Sequence, residues 1–165
     1  MRQLMSAAFV AALALSTAAL AEEPKVNGKY LVNVNDQGVI LDGYDSVAFF
    51  TDGKPVKGMA EFQSKYHDAT YWFASAEHKA LFDGDPGKYM PQFGAWCAYA
   101  VSLGRTAPID VATFSIVNGR LVVQHNAKAV KGWNEDPQAN LVKADRYWAP
   151  VVQNGGKQID VASFK

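Results

Sequence analysis

The sequence predicts an α+β fold, in which small antiparallel β-hairpins pack with short α-helices. Short strand patterns bounded by turn residues recur along the chain, and helix-start signals stand between them. The order of hairpin, loop, hairpin, helices, hairpin and helices favours antiparallel sheet over a doubly wound parallel sheet, and the sequence has no Gly-rich phosphate loop or dinucleotide-binding fingerprint. These three observations favour antiparallel sheets with interspersed helices.

The first 21 residues have the pattern of a secretory signal peptide. Arg2 supplies a positive start, an apolar run rich in Ala and Leu follows, and Ala19-Leu20-Ala21 matches a small-x-small cleavage site. The apolar run is too short for a membrane span of about 20 residues. We therefore expect export to the periplasm or the medium, a mature chain that begins at Glu22, and no membrane span.

The mature chain is expected to form one domain. Removal of residues 1–21 leaves 165 − 21 = 144 residues, enough for one hydrophobic core. We predict a flexible lead over residues 22–29, the domain over residues 30–150 and a loosely attached C-terminal tail over residues 151–165. Without Arg2 the chain carries 16 − 1 = 15 basic and 16 acidic residues in interspersed order, which disfavours a nucleic-acid partner.

Two hairpins are predicted in the first half of the domain. Residues 30–34 and 39–41 flank a polar turn, and residues 61–66 alternate in polarity before residues 70–73. The turn of the second hairpin is expected to span the three residues between its strands, with His67 exposed to solvent.

The clearest element is a third hairpin over residues 114–125. Its Asn-Gly pair supplies the two positive-φ residues of a type I′ turn. Counting outward from this turn places Val117 opposite Arg120 and puts His125 on the apolar face of the hairpin.

Four helices are predicted from capping residues and apolar spacing. Ser75 is a suitable N-cap for a helix that ends near Asp83, and Asp85-Pro86 opens a shorter helix through Met90. Two further helices are expected over residues 127–133 and 138–148.

Several segments of the chain resemble the exported branch of the YHS-domain family. The matching segments are DGYDSVAFF (residues 42–50), the block from YHDATYWFASAEHKALF to PQFG (residues 66–94), AWCAYAVSLG (residues 95–104), and the third hairpin with Trp133 after it. The resemblance covers most of residues 32–148 and implies a YHS-like single domain.

Small YHS and related domains often carry cysteines in a zinc-ribbon-like arrangement and accompany heavy-metal proteins such as copper-exporting P-type ATPases. The resemblance implies a Cys after Asp-Pro-Val and a Phe-Cys-Ser-x-x-Cys motif. This chain has Ala48 at the first Cys position, and Ala74 and His78 at the other two. A closed structural zinc site needs about four Cys or His ligands, which Ala48 and Ala74 cannot supply.

Cys97 is the only cysteine of the chain, so an intramolecular disulfide is excluded. Its apolar neighbours favour an inert buried thiol. The functional interpretation is a soft ligand for copper, joined by His78, His125 or Met90. A thiol enzyme is disfavoured, because the sequence has no Cys-x-x-Cys motif and no local nucleophile signature.

Two interpretations stand for His78 and for Asp45. His78 occupies a metal position of the family, but Leu81 and Phe82 place it beside the apolar face of its helix, where a half-buried histidine is ordinary. Asp45 lies in a loop and either caps the segment that follows or serves as an acceptor in a site.

The expected function is non-catalytic binding of a soft metal ion such as copper, with Cys97 and His78 as candidate ligands. A copper ion is the only cofactor that these residues suggest, and they do not identify a protein partner. The alternative is a structural or protein-interaction domain that has lost the metal site of the family.

Overall fold

The computed structural model describes residues 22–164, in which six α-helices are interspersed with three two-stranded antiparallel sheets. In chain order the elements are β1 (Lys25–Val26), β2 (Lys29–Tyr30), α1 (Ala48–Thr51), β3 (Met59–Tyr66), β4 (Ala69–Phe73), α2 (Ala76–Gly84), α3 (Pro86–Tyr89), α4 (Ala98–Ser102), β5 (Asp110–Val117), β6 (Arg120–Gln124), α5 (Ala127–Glu135) and α6 (Pro137–Gln153). Each sheet is a hairpin of two consecutive strands. This architecture confirms the predicted α+β class.

At both ends, ordered structure extends beyond the bounds that the sequence predicted for the domain. Strands β1 and β2 form a hairpin within the segment predicted as a flexible lead, and Glu23 Oε2 accepts a 2.9 Å hydrogen bond from Trp148 Nε1. Helix α6 continues to Gln153, past the predicted boundary at residue 150, and fully buries Val151 and Val152. These two valines belong to the core, and the expected loose tail does not begin where the sequence placed it.

The predicted signal peptide, residues 1–21, lies outside the described residues. Within residues 22–164, no helix is both long enough and apolar enough to cross a membrane. Export of the chain stays a prediction.

The β3–β4 hairpin has a tighter turn than the sequence suggested. Tyr66 pairs with Ala69, so the turn consists of His67 and Asp68 alone. Their φ values of 48° and 62° are typical of a two-residue type I′ turn. His67 stacks between the rings of Tyr30 and Tyr66, with centroid separations of 3.8 and 3.9 Å. His67, which the sequence predicts to be exposed to solvent, is half-buried, because a ring covers each of its faces.

The β5–β6 hairpin has the predicted turn. Val117 pairs with Arg120 around the Asn-Gly pair, whose two residues both have positive φ. Strand β6 ends at Gln124, and His125 is exposed. The predicted position of His125 on the apolar face is wrong, since the alternation of faces stops where the strand stops.

Side-chain caps fix the helix starts that the sequence predicts. Ser75 Oγ accepts a 3.2 Å hydrogen bond from the amide of His78 at the start of α2. Asp85 Oδ1 accepts a 3.1 Å hydrogen bond from the amide of Lys88 at the start of α3, and Asp136 caps α6 in the same way. Each bond satisfies an amide that the first helical turn leaves without a partner.

Two large clusters of buried side chains form the core. The first includes Phe49, Phe73 and Phe82, which come from α1, β4 and α2. The second includes Trp133 and Trp148, which come from α5 and α6. The first cluster holds its three elements together beside the loop that contains Asp45, and this packing positions the candidate site.

Candidate functional site

The candidate site is centred on the carboxylate of Asp45, which has no solvent exposure. Its Oδ1 accepts hydrogen bonds from the amides of Val47 at 2.8 Å and Ala48 at 3.3 Å. Its Oδ2 accepts from the amide of Ala74 at 2.8 Å and from Nδ1 of His78 at 2.6 Å. A carboxylate has about four acceptor positions, so the protein occupies all of them.

The loop before Asp45 reaches this position by close packing against Trp72. Gly43 has a φ of +77°, and a Cβ built there would lie 2.9 Å from Cε3 of Trp72. A Cβ at Gly58 would lie 2.5 Å from the backbone carbonyl carbon of Trp72, and the Gly58 amide donates to the Gly43 carbonyl at 2.8 Å. Both positions therefore require glycine for the loop to lie flat on β4.

The bond to Asp45 fixes the tautomer of His78. The carboxylate is an acceptor, so Nδ1 carries the hydrogen, and Nε2 is the nitrogen that faces away from the buried group. Nε2 lies 3.4 Å from Thr51 Oγ1 and 4.0 Å from Asp52 Oδ1. The side chain of His78 is 18 % exposed, so Nε2 is at the edge of the protein.

The contacts from Asp45 to His78 and from His78 to Thr51 resemble the acid, base and hydroxyl of a catalytic triad. Two further observations argue against an acyl-transfer site. The Thr51 hydroxyl lies 2.7 Å from Asp52 Oδ1, which is a nearer partner than His78. The amides of Thr51 and of the two residues after it donate to carbonyls of the α1 segment. None of these three amides is free to stabilise an oxyanion.

The three positions at which the resemblance implies cysteines meet at Asp45. The amides of Ala48 and Ala74 and the imidazole of His78 all donate to its carboxylate. Two of these side chains have no donor atom for a metal, and the acceptor positions of Asp45 are already in use. Over residues 22–164, no group of three or more His, Cys, Asp and Glu side chains could hold a metal ion. The residues therefore do not fit a closed four-ligand zinc site.

Cys97 lies in a separate apolar environment at the start of α4. Its side chain packs with Ala100 and Ala129, and the residue is 1 % exposed. Sγ donates to Gln124 Oε1 at 3.5 Å. Burial raises the pKa of the Cys97 thiol, and this effect exceeds the lowering by nearby backbone amides.

The structure does not bring Cys97 and His78 together. Cys97 contacts Gln124 and the alanines of its cluster, whereas His78 contacts Asp45, Thr51 and Asp52. The ring of His125 is exposed to solvent, although His125 is the next residue after Gln124. The half-buried Met90 packs against the first core cluster, to which Cys97 does not belong.

Sequence reasoning identified one half of the Asp45 network. The cap on Val47 and Ala48 follows from local spacing, and the structure confirms it. The bonds from Ala74 and His78 join residues that are 29 and 33 positions from Asp45 in the sequence, and no local sequence pattern predicts such contacts. Thr51 and Asp52 were missed for the same reason, because only the folded chain places them beside His78.

Comparison with models of protein families matches residues 47–93 to the YHS domain. The matched segment contains Ala48, Ala74 and His78, and it ends before Cys97. No curated protein and no solved structure matches the chain. The match confirms the resemblance to the YHS domain over this segment and does not bear on export.

Proposed function

We propose that this chain, which contains a YHS domain over residues 47–93, is an exported, non-catalytic protein that acts as a structural or protein-interaction domain. In this proposal the hydrogen-bonded pair of Asp45 and His78 takes the place of the family's metal centre. A metal ion crosslinks the segments that supply its ligands, and the Asp45 carboxylate links the same segments through hydrogen bonds.

The observation that carries the proposal is the full use of the Asp45 carboxylate. Four donors from the start of α1, the residue after β4 and α2 converge on it, at distances from 2.6 to 3.3 Å. A buried charge is stable only when its partners satisfy it, and here the protein alone supplies them. The domain needs no ion to hold these elements together.

A second candidate function is binding of a metal ion such as copper at His78. Histidines that ligate metals commonly donate their other ring nitrogen to a carboxylate, as His78 does to Asp45. Nε2 of His78 and the carboxylate of Asp52 would hold the ion, and this ligand pair suits Cu(II) better than a soft ion. Cys97, the other predicted ligand, would have to bind separately.

Metal uptake separates the two functions. Wild-type protein, His78→Ala and Cys97→Ser are dialysed against Cu(II), Zn(II) and, under reducing conditions, Cu(I), and bound metal is measured by mass spectrometry. We expect no stoichiometric uptake by any of the three proteins, with His125→Ala as a matched control for an exposed imidazole. Stoichiometric uptake by the wild type that is lost in His78→Ala would overturn the metal-free proposal and establish the second function. Uptake lost only in Cys97→Ser would assign the ion to the thiol.

Export is tested separately. The full chain is expressed with its first 21 residues, and the N-terminus of the exported protein is sequenced. We expect Glu22 as the first residue. A protein that stays in the cell and begins at Met1 would remove export from the proposal.

A further inference from the structure

A cleft of about 710 Å³ lies on the face formed by the N-terminal segment, the β3–β4 turn and α6. This volume is within the range of about 300 to 1,000 Å³ that small-molecule sites occupy. None of the residues that line the cleft belongs to the Asp45 network, so the two sites share no side chain.

Apolar and aromatic side chains provide one part of the cleft wall. Met90, Phe93 and Trp148 line it, and the rings of Phe93 and Trp148 pack edge to face with centroids 5.8 Å apart. Tyr66 lines the side nearest the β3–β4 turn. Phe93 and Trp148 are almost fully buried, so the apolar surface that a ligand can contact comes mainly from the half-buried Met90 and Tyr66.

The cationic group of the cleft is already engaged. Arg120 donates from Nη1 and Nη2 to the two carboxylate oxygens of Asp145, at 2.8 and 2.7 Å, and from Nε to Gln92 Oε1 at 2.9 Å. Its guanidinium carbon also lies 5.7 Å from the ring centroid of Phe93. Because its charge is balanced by Asp145, Arg120 does not provide a free site for an anion.

The carboxylates of the cleft outnumber the cations that balance them. Glu22, Glu23 and Asp145 line it, while Lys25 pairs with Glu22 at 2.9 Å and Arg120 pairs with Asp145. Among the described residues, Glu23 makes no salt bridge, and its hydrogen bond comes from the neutral indole of Trp148. One negative charge therefore stands beside an aromatic wall without a cation.

We propose that this cleft binds a small organic cation with an apolar body. The positive group lies near the carboxylate of Glu23, which attracts it by charge, and the apolar part packs on the half-buried side chains of Met90 and Tyr66. The inference goes beyond the proposed function, since it concerns a different face of the molecule and does not depend on His78.

Three probes of similar size test the charge preference: benzyltrimethylammonium, benzyl alcohol and phenylmethanesulfonate. Each is titrated into the purified protein at constant ionic strength, and the NMR signal of the Trp148 indole N–H, assigned with Trp148→Phe, is followed. We expect the cation to shift this signal saturably, and the alcohol and the anion to bind more weakly. Equal binding of all three probes, or stronger binding of the anion, would overturn the proposal, as would the absence of a saturable shift with the cation.

The variant Glu23→Gln isolates the charge of Glu23, because the glutamine oxygen can still accept the bond from Trp148. We expect it to weaken binding of the cation by roughly 3- to 10-fold and to leave benzyl alcohol unchanged. Glu61→Gln is the matched control, since Glu61 is exposed on β3 and does not line the cleft. Equal effects of the two substitutions would show that the cleft charge does not select the ligand.

Discussion

Asp45 Oδ2 lies 2.6 Å from His78 Nδ1, and this contact joins a loop to a helix that begins about 30 residues later. The same carboxylate caps the start of α1 and accepts a hydrogen bond from the amide of Ala74, the residue after β4. A charge that is entirely buried destabilises the fold unless each acceptor position has a donor. The imidazole of His78 is therefore a structural requirement in this domain, whatever else it binds.

Substitution of His78 tests this requirement. His78→Leu leaves one acceptor position of Asp45 empty, and we expect it to lower the free energy of unfolding by about 1 to 3 kcal/mol. His78→Gln is expected to cost less, because its amide can donate to Asp45. Urea denaturation measures both values, with His125→Leu as an exposed control that changes stability by no more than about 0.5 kcal/mol. Equal losses for His78→Leu and His125→Leu would contradict the role of this hydrogen bond.

The elements that the sequence predicts well depend on interactions within a few residues. Ser75 bonds the amide three positions later, Asp85 does the same, and the Asn-Gly pair sets the register of Val117 with Arg120. Such caps and turns are decided by local geometry, which sequence patterns record. The cap that Asp45 makes on Val47 belongs to this group.

The features that the sequence did not reveal depend on tertiary packing. The stacking of His67 on Tyr30 arises because the N-terminal hairpin folds back onto the β3–β4 turn. The burial of Val151 depends on the second core cluster, which has members from α4, β6 and both C-terminal helices. Cys97 likewise packs with Ala129, whereas His78 bonds to Asp45, and these long-range contacts are not encoded by local sequence patterns.

Because the thiol of Cys97 is buried, we expect the protein to lose stability at high pH. Burial raises the pKa of this thiol above its ordinary value of 9.0, so the unfolded chain loses the proton first as the pH rises. The stability that Cys97 contributes is therefore present below pH 9.0 and is lost above it. Denaturation of the wild type and of Cys97→Ala at about pH 8 and about pH 10 measures this effect. We expect a larger decrease for the wild type, while buried tyrosines contribute equally to both proteins. Equal decreases would show that the thiol does not cause the loss.

Because the imidazole of His67 is stacked and partly buried, we expect the protein to lose stability as the pH falls. Burial lowers the pKa of His67 below its ordinary value of 6.5, with a smaller contribution from Lys25 in the same direction. The unfolded chain therefore gains the proton first as the pH falls, and the stability that depends on neutral His67 is present above pH 6.5 and lost below it.

The variant His67→Asn tests this prediction. Asparagine tolerates the positive φ of 48° at this turn position, but it neither stacks as a ring nor titrates. We expect the decrease in stability between about pH 7 and about pH 5 to be smaller in His67→Asn than in the wild type. Asp45, His78 and His125 are unchanged in the variant, so their contributions cancel in the comparison. A pH dependence that is the same in both proteins would contradict the link between His67 and stability.

Gly132 in α5 tests the packing of that helix on Tyr99. Alanine usually stabilises the interior of a helix by about 1 kcal/mol relative to glycine. A Cβ at Gly132, however, would lie 2.4 Å from Cζ of Tyr99, so the ring, which packs against the second core cluster, would have to move. We therefore expect Gly132→Ala to lower the free energy of unfolding, by about 1 to 3 kcal/mol, as an overpacked core does. Gly84 at the end of α2 is the matched control, because a Cβ there meets no atom within 4 Å, and Gly84→Ala is expected to leave stability unchanged or to raise it.

A second substitution identifies the clash as the cause. In the Tyr99→Leu background the ring is absent, so Gly132→Ala should cost less than it does in the wild type. The difference between the two costs, measured by urea denaturation as a double-mutant cycle, gives the coupling of the two positions. A coupling near zero, or a stabilising effect of Gly132→Ala in the wild type, would mean that α4 and α5 do not approach each other at this contact.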